Sequence, residues 1–155
     1  MTGNLIVFQG NNIRRTLHND EWYFAVEDVV QVLTDSANAK DYIKKMRKRD
    51  EELSKGWGQF VTPLKIVTQG GEQSVNCSNT EGIFRIIQSI PSKKAEPFKK
   101  WLAKVGYERV QEIENPELAQ HRMRELYRAK GYPDSWIEKR IRGIVFQNVR
   151  RRGRI

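Results

Sequence analysis

Between positions 40 and 49 the chain carries six bases, Lys40, Lys44, Lys45, Arg47, Lys48 and Arg49, against one acid, Asp41. Such a set can neutralise a polyanion. A lysine ammonium serves phosphate as a point charge, and an arginine guanidinium offers a planar fork that matches phosphate or a guanine edge. Tyr42, Ile43 and Met46 are interleaved at spacings of three and four, so the segment reads as a helix with one apolar side. Lys40/Lys44, Lys44/Lys48 and Lys45/Arg49 are like-charged pairs four residues apart, each costing roughly 0.2–0.5 kcal/mol. A face that meets only water usually mixes signs, and docked phosphates would relieve this repulsion. The alternative is an incidental basic face whose last turn suits the helix dipole. Asn38, Lys40, Asp41, Lys44 and Lys45 lie in or before the first half, where a recognition helix reaches base edges; Asn38 reads better as the helix cap. Arg47 and Lys48 fall to the phosphate backbone. Lys65, and Gln69 and Gln73 beside Gly70-Gly71, can reach backbone or an adjacent groove from a hairpin, which otherwise is a plain surface turn. Arg150, Arg151 and Arg152 in "RRRGRI" form a basic tail, either a gripping arm or a solvated terminus.

Other chemistries find less support. The adjacent pairs Glu27/Asp28 and Glu51/Glu52 diverge on a helix instead of converging on a metal, so a metal-dependent nuclease is a weak alternative. Cys77 is the single cysteine, and His18 and His121 are far apart, so no metal, cofactor or catalytic triad can be nominated. No apolar run reaches the ~18 residues of a membrane span, and the first residues lack the pattern of a signal peptide. With 155 residues, a net charge of +9 and a pI near 9.8, the chain reads as a cytoplasmic protein that favours nucleic acid over anionic membrane.

The elements around the basic helix follow from local pattern. "LIVF", "IRRTLHND" and "WYFAV" read as a small antiparallel meander. A helix begins at Glu27, and "TDSAN" breaks it before the basic helix, giving a helix-turn-helix. "EELSKGWGQF" reads as a loop because of Gly56 and Gly58. The hairpin that follows stands where a wing would, its turn made by positive φ at Gly70-Gly71, and Pro63 requires an edge or a bulge. "SNTEGIFRIIQSI" is a helix burying Ile83, Phe84, Ile86, Ile87 and Ile90. In the next helix Ala95, Phe98, Leu102, Val105 and Val110 recur helically. After Glu114 come two amphipathic helices, the first capped by Asn115, the second opened by a Ser135/Glu138 capping box and carrying Trp136, Ile137, Ile141, Ile144, Val145 and Val149. The predicted fold is α+β: a small antiparallel sheet with a winged helix-turn-helix-like core and additional packing helices. Residues 1–114 form the domain and 115–155 an appendage that packs on it or makes a homo-oligomer.

The ordered set "EWYFAVEDVVQVL", the basic helix, a glycine-turn hairpin and "SNTEGIFRIIQSIPSKKAEPFKKWLAKV" resembles the Bro-N domain, which opens baculovirus BRO proteins and many phage antirepressor-like proteins. The resemblance covers roughly residues 4–112. It rests on Trp22 to Asp28, on Asn79, Gly82, Phe84 and Arg85, and on Phe98, Trp101 and Leu102. The chain departs from the pattern at Leu33-Thr34-Asp35, where Leu-Gly-Tyr is common, and at "VGYERV". The resemblance implies duplex DNA binding in a bacterial host cell, at the nucleoid, in phage or prophage gene regulation, and not enzyme activity. The alternative it implies is an antirepressor module that captures a repressor protein.

Overall fold

The computed structural model describes residues 13–152, and side chains as far as Ile144. The expected first strand at residues 5–8 lies outside them. Strands β1 (Arg15–His18) and β2 (Glu21–Ala25) form a hairpin whose turn residues, Asn19 and Asp20, have φ of 52° and 60°. Asn and Asp tolerate that left-handed backbone, and its twist suits a two-residue hairpin.

β2 runs directly into α1 (Val26–Thr34), which buries Val26, Val29, Val30 and Leu33. Glu27 and Asp28 occupy its first turn, the positive end of the helix dipole. Asp35 adopts φ 55° and donates its N–H to Gln31 O at 2.9 Å, so an aspartate supplies the left-handed C-cap. Helix α2 (Ala39–Arg49) starts on Asn38, whose Oδ1 accepts from Asp41 N at 3.1 Å, and it buries Ile43 and Met46.

Residues 51–60 are not a loop but helix α3 (Glu51–Phe60). Asp50 ends α2 by donating its N–H to Met46 O, and caps α3 by accepting from Leu53 N at 3.0 Å. Glu51 and Glu52 favour the helix N-terminus, Lys55 pairs with both, and Leu53 is fully buried. These gains outweigh Gly56 and Gly58, which cost about 1 kcal/mol each.

Strands β3 (Thr62–Thr68) and β4 (Gly71–Asn79) pair in register Thr68↔Gly71, so the tip is Gln69-Gly70. Positive φ falls on Gly71 alone, at 98°, and not on both glycines; Thr68 Oγ1 donates to Gly71 O at 2.7 Å and helps close the turn. β4 also pairs with β2, giving an antiparallel sheet of order β1-β2-β4-β3 among the described residues. β3 lies at the sheet edge, where Pro63 is tolerated opposite Asn76. Ala25, Ile66, Val75 and Cys77 cluster on the inner face, and burial pushes the Cys77 thiol up to about 11, so it stays protonated at neutral pH.

Helix α4 (Thr80–Gln88) starts on Asn79, whose Oδ1 accepts from Gly82 N at 2.9 Å, and buries Ile83, Ile86 and Ile87. A short 3-10 turn, Lys93–Ala95, leads into α5 (Glu96–Glu114). Phe84, Phe98 and Trp101 meet with ring centroids 5.5–6.0 Å apart. Phe84 itself is only half-buried.

One compact unit runs through Trp101 and a second begins at Leu102. In the second, Val105 and Val110 are 37% and 55% exposed, contrary to the expected apolar stripe. Charged residues interrupt that stripe, and the buried residue of this stretch is Glu112, held by Arg122 at 2.6 Å and Arg109 at 3.6 Å. Helix α6 (Glu117–Ala129) starts with Asn115 Oδ1 accepting from Glu117 N. Helix α7 (Asp134–Arg152) includes Ser135, so no capping box forms; Glu138 instead accepts from Arg124 Nε at 2.7 Å. Ile137 and Ile141 are buried. Arg150, Arg151 and Arg152 belong to α7, so this part of the expected tail is helical.

Candidate nucleic-acid interface

Lys40, Lys44, Arg47 and Lys48 recur at spacings of three and four and share a face of α2 with Ile43. That face forms one wall of a cleft of about 620 Å³. Gln73 to Asn76 of β4 form another, Ser54 and Trp57 of α3 close one side, and Glu27 of α1 and Arg14, just before β1, complete the lining.

The charges in the cleft are unequally free. Arg14 is held by Asp28, with Nε and Nη2 each 2.9 Å from a carboxylate oxygen, and this raises the pKa of its guanidinium. Lys40, Lys44 and Lys48 make no ion pair among the described residues: Asp41 pairs with Lys45 at 3.1 Å, Glu51 and Glu52 pair with Lys55, and Glu27, which lines the cleft, forms no ion pair with the three lysines. The guanidinium of Arg47 lies over the Trp57 ring, 4.7 Å from its centroid, and its Nε is buried without a hydrogen-bond partner. Trp57 in turn meets Phe60 edge-on at 5.9 Å.

The six bases of α2 therefore divide. Four line the cleft; Lys45 is paired outside it, and Arg49 borders a separate depression with Asp50, Glu51 and Glu52. Of the hairpin residues, Gln73 lines the cleft, while Lys65 and Gln69 do not. The side chains of Arg150, Arg151 and Arg152 lie outside the described residues. Sequence reasoning missed Arg14, Ser54 and Trp57. The signal for Trp57 was its spacing of four from Leu53, downstream of a capping aspartate and two acids. Among the described residues no three His, Cys, Asp or Glu side chains are grouped to hold a metal ion.

The basic helix is braced from behind through Asp50. Its Oδ2 accepts from Ser89 Oγ at 2.6 Å and lies 3.5 Å from Arg85, and Arg85 Nη1 donates to Ser89 Oγ at 2.7 Å. The Ser89 hydroxyl, then the Leu53 N–H, hold the Asp50 carboxyl below the usual carboxylate range. A depressed carboxylate stabilises the fold above its unfolded pKa, and that contribution fades as pH falls through and below the ordinary range. Asp50→Ala is expected to lower the melting temperature at pH 7, with the gap from the unsubstituted protein narrowing as melts are taken below the ordinary carboxylate range, where the unfolded state takes up its proton first.

The motif residues thus have physical roles. Asn79 caps α4, Gly82 admits a close approach, Phe84 joins the aromatic cluster and Arg85 supports Asp50. No described helix is long and apolar enough to cross a membrane. No curated protein and no solved structure matches the chain. A family model described as "BRO family, N-terminal domain", Bro-N, matches residues 12–111, which takes in every element that lines the cleft and stops before α6. Because that match covers well over half of the 155 residues, the chain belongs to the BRO family and carries its N-terminal domain.

Proposed function

We propose that this domain binds duplex DNA in phage- or prophage-type gene regulation, as a binding protein and not an enzyme, in the cytoplasm of a bacterial host. The observation that carries the reading is the α2 face on which Lys40, Lys44 and Lys48 line the cleft without an ion pair among the described residues, while Asp41, Glu51 and Glu52 pair with other bases. In this reading α1 and α2 act as a helix-turn-helix, α2 is presented to the major groove, and the β3–β4 hairpin stands beside it as the wing. Phosphates of one strand lie along the cleft, with Gln73 within reach of the backbone. Lys45 and Arg49, outside the cleft, serve neighbouring phosphates, as do Lys65 and Gln69, and Arg150, Arg151 and Arg152 are further phosphate contacts of the chain. Most of the affinity comes from counterion release, so binding falls steeply with salt.

A second reading, an antirepressor module that captures a repressor, has one observation in its favour. In the second unit Tyr132 and Trp136 stack at 4.3 Å while 44% and 39% exposed, and Leu126 is 53% exposed. Exposed aromatics of this kind suit a protein partner or a second copy of this chain. A gel-shift titration with random-sequence duplex, repeated at two salt concentrations, separates the readings: retention that weakens with salt supports DNA binding, and no retention at low salt removes it.

A further inference from the structure

We propose that Arg47 reads base identity, selecting guanine, and that Trp57 is the residue that positions it. The proposal rests on the DNA-binding reading and deepens it. By helical position Arg47 falls in the second half of α2, where backbone contacts are the ordinary expectation. Three features of its surroundings point instead to readout.

The first is orientation. The guanidinium carbon lies over the Trp57 ring, 4.7 Å from its centroid, a contact that restricts the side chain and lowers the entropy lost when it makes a paired contact. The three cleft lysines have no such platform; each is exposed, on a flexible stem, and suits phosphate as a mobile charge. The second is valence. Arg47 forms no ion pair among the described residues, and its Nε is buried without a partner. The donors left for an incoming acceptor are the two terminal nitrogens, spaced to meet O6 and N7 of one guanine in the major groove. The third is location: Arg47 lines the cleft between Lys44 and Lys48, so phosphate contacts on either side would set its register against a base edge.

The test separates preference from bulk binding. The full chain is offered a duplex library with a randomised centre, and bound sequences are counted. In parallel, binding to random duplex is titrated and thermal melts check the fold. The unsubstituted protein is expected to enrich guanine at one position by roughly tenfold or more. Arg47→Lys keeps the charge and is expected to hold bulk affinity within about threefold while losing that enrichment. Trp57→Phe, which keeps a smaller ring beneath the guanidinium, is expected to weaken the enrichment by a larger factor than it weakens bulk affinity. If the unsubstituted protein binds random duplex yet enriches no guanine, or if Arg47→Lys retains the enrichment, the proposal is wrong and DNA binding stands. If Arg47→Lys lowers the melting temperature and leaves the enrichment intact, the stack is packing alone and the proposal is likewise overturned. If no duplex is bound at all, the DNA-binding reading fails and takes this proposal with it.

Discussion

Replacing Lys40, Lys44 and Lys48 together by glutamine is expected to weaken binding to every duplex sequence by roughly a hundred- to a thousandfold at low salt, and to flatten the salt dependence by about three ions. All three side chains are exposed, line one cleft and have no acidic partner among the described residues, so their removal leaves no buried group stranded. The fold should even gain slightly. The Lys40/Lys44 and Lys44/Lys48 repulsions disappear, each worth roughly 0.2–0.5 kcal/mol. Lys45→Gln is the graded comparison, expected to weaken binding but less. Its ammonium pairs with Asp41 outside the cleft, and its loss should change affinity by much less than any one of the three. Fluorescence anisotropy with a labelled random duplex measures both effects, and a melt checks that the triple variant is folded.

Gly82→Ala is expected to destabilise the protein by about 2–3 kcal/mol, although alanine is ordinarily favoured over glycine in a helix by about 1 kcal/mol. The sign inverts because of what an added methyl would meet. It would collide with Ser78 Oγ and come within 3.0 Å of Phe60 Cβ and of the Phe60 carbonyl oxygen. Ser78 is fully buried and its hydroxyl donates to that same carbonyl, so neither partner can retreat without breaking the bond. The displacement falls on the end of α3, one turn from Trp57, so the cleft should be disturbed together with the core. Urea unfolding gives the stability change. Adding Ser78→Ala should recover part of it, since the worst collision is with the hydroxyl; full recovery would mean that the Phe60 backbone is not a barrier.

Much of the first unit was readable from local signals. Asn38 caps its helix as the spacing of apolar residues requires, the cap of α4, open in the sequence between Asn79 and Thr80, is Asn79, the acids of α1 stand at its positive end, and Pro63 marks an edge strand. The pairing of Asp41 with Lys45 was also open to inspection, being four residues apart on a helix. The helix α3 was hidden because Gly56 and Gly58 dominate any local reading. What decides it is nonlocal: Leu53 in the core, Trp57 beneath Arg47, and an Asp50 shared between two helices and Ser89. Missing α3 also concealed the cleft, because Trp57 and Ser54 form its side and Arg47 takes its orientation from Trp57. The Gly70-Gly71 turn was misread by one position, a shift that only the pairing of Thr68 with Gly71 fixes. In the second unit the expected stripe through Val105 and Val110 failed because Glu112, a charged residue, takes the buried place.

The idea that α2 meets a polyanion is tested most directly by the affinity of the unsubstituted full chain for random duplex DNA across a series of salt concentrations. Four free bases in the cleft, with neighbouring contacts, should give a slope of log K against log salt of roughly −3.5 to −5. A slope near zero, or no binding at the lowest salt, would mean that the unpaired lysines of the cleft do not serve phosphate.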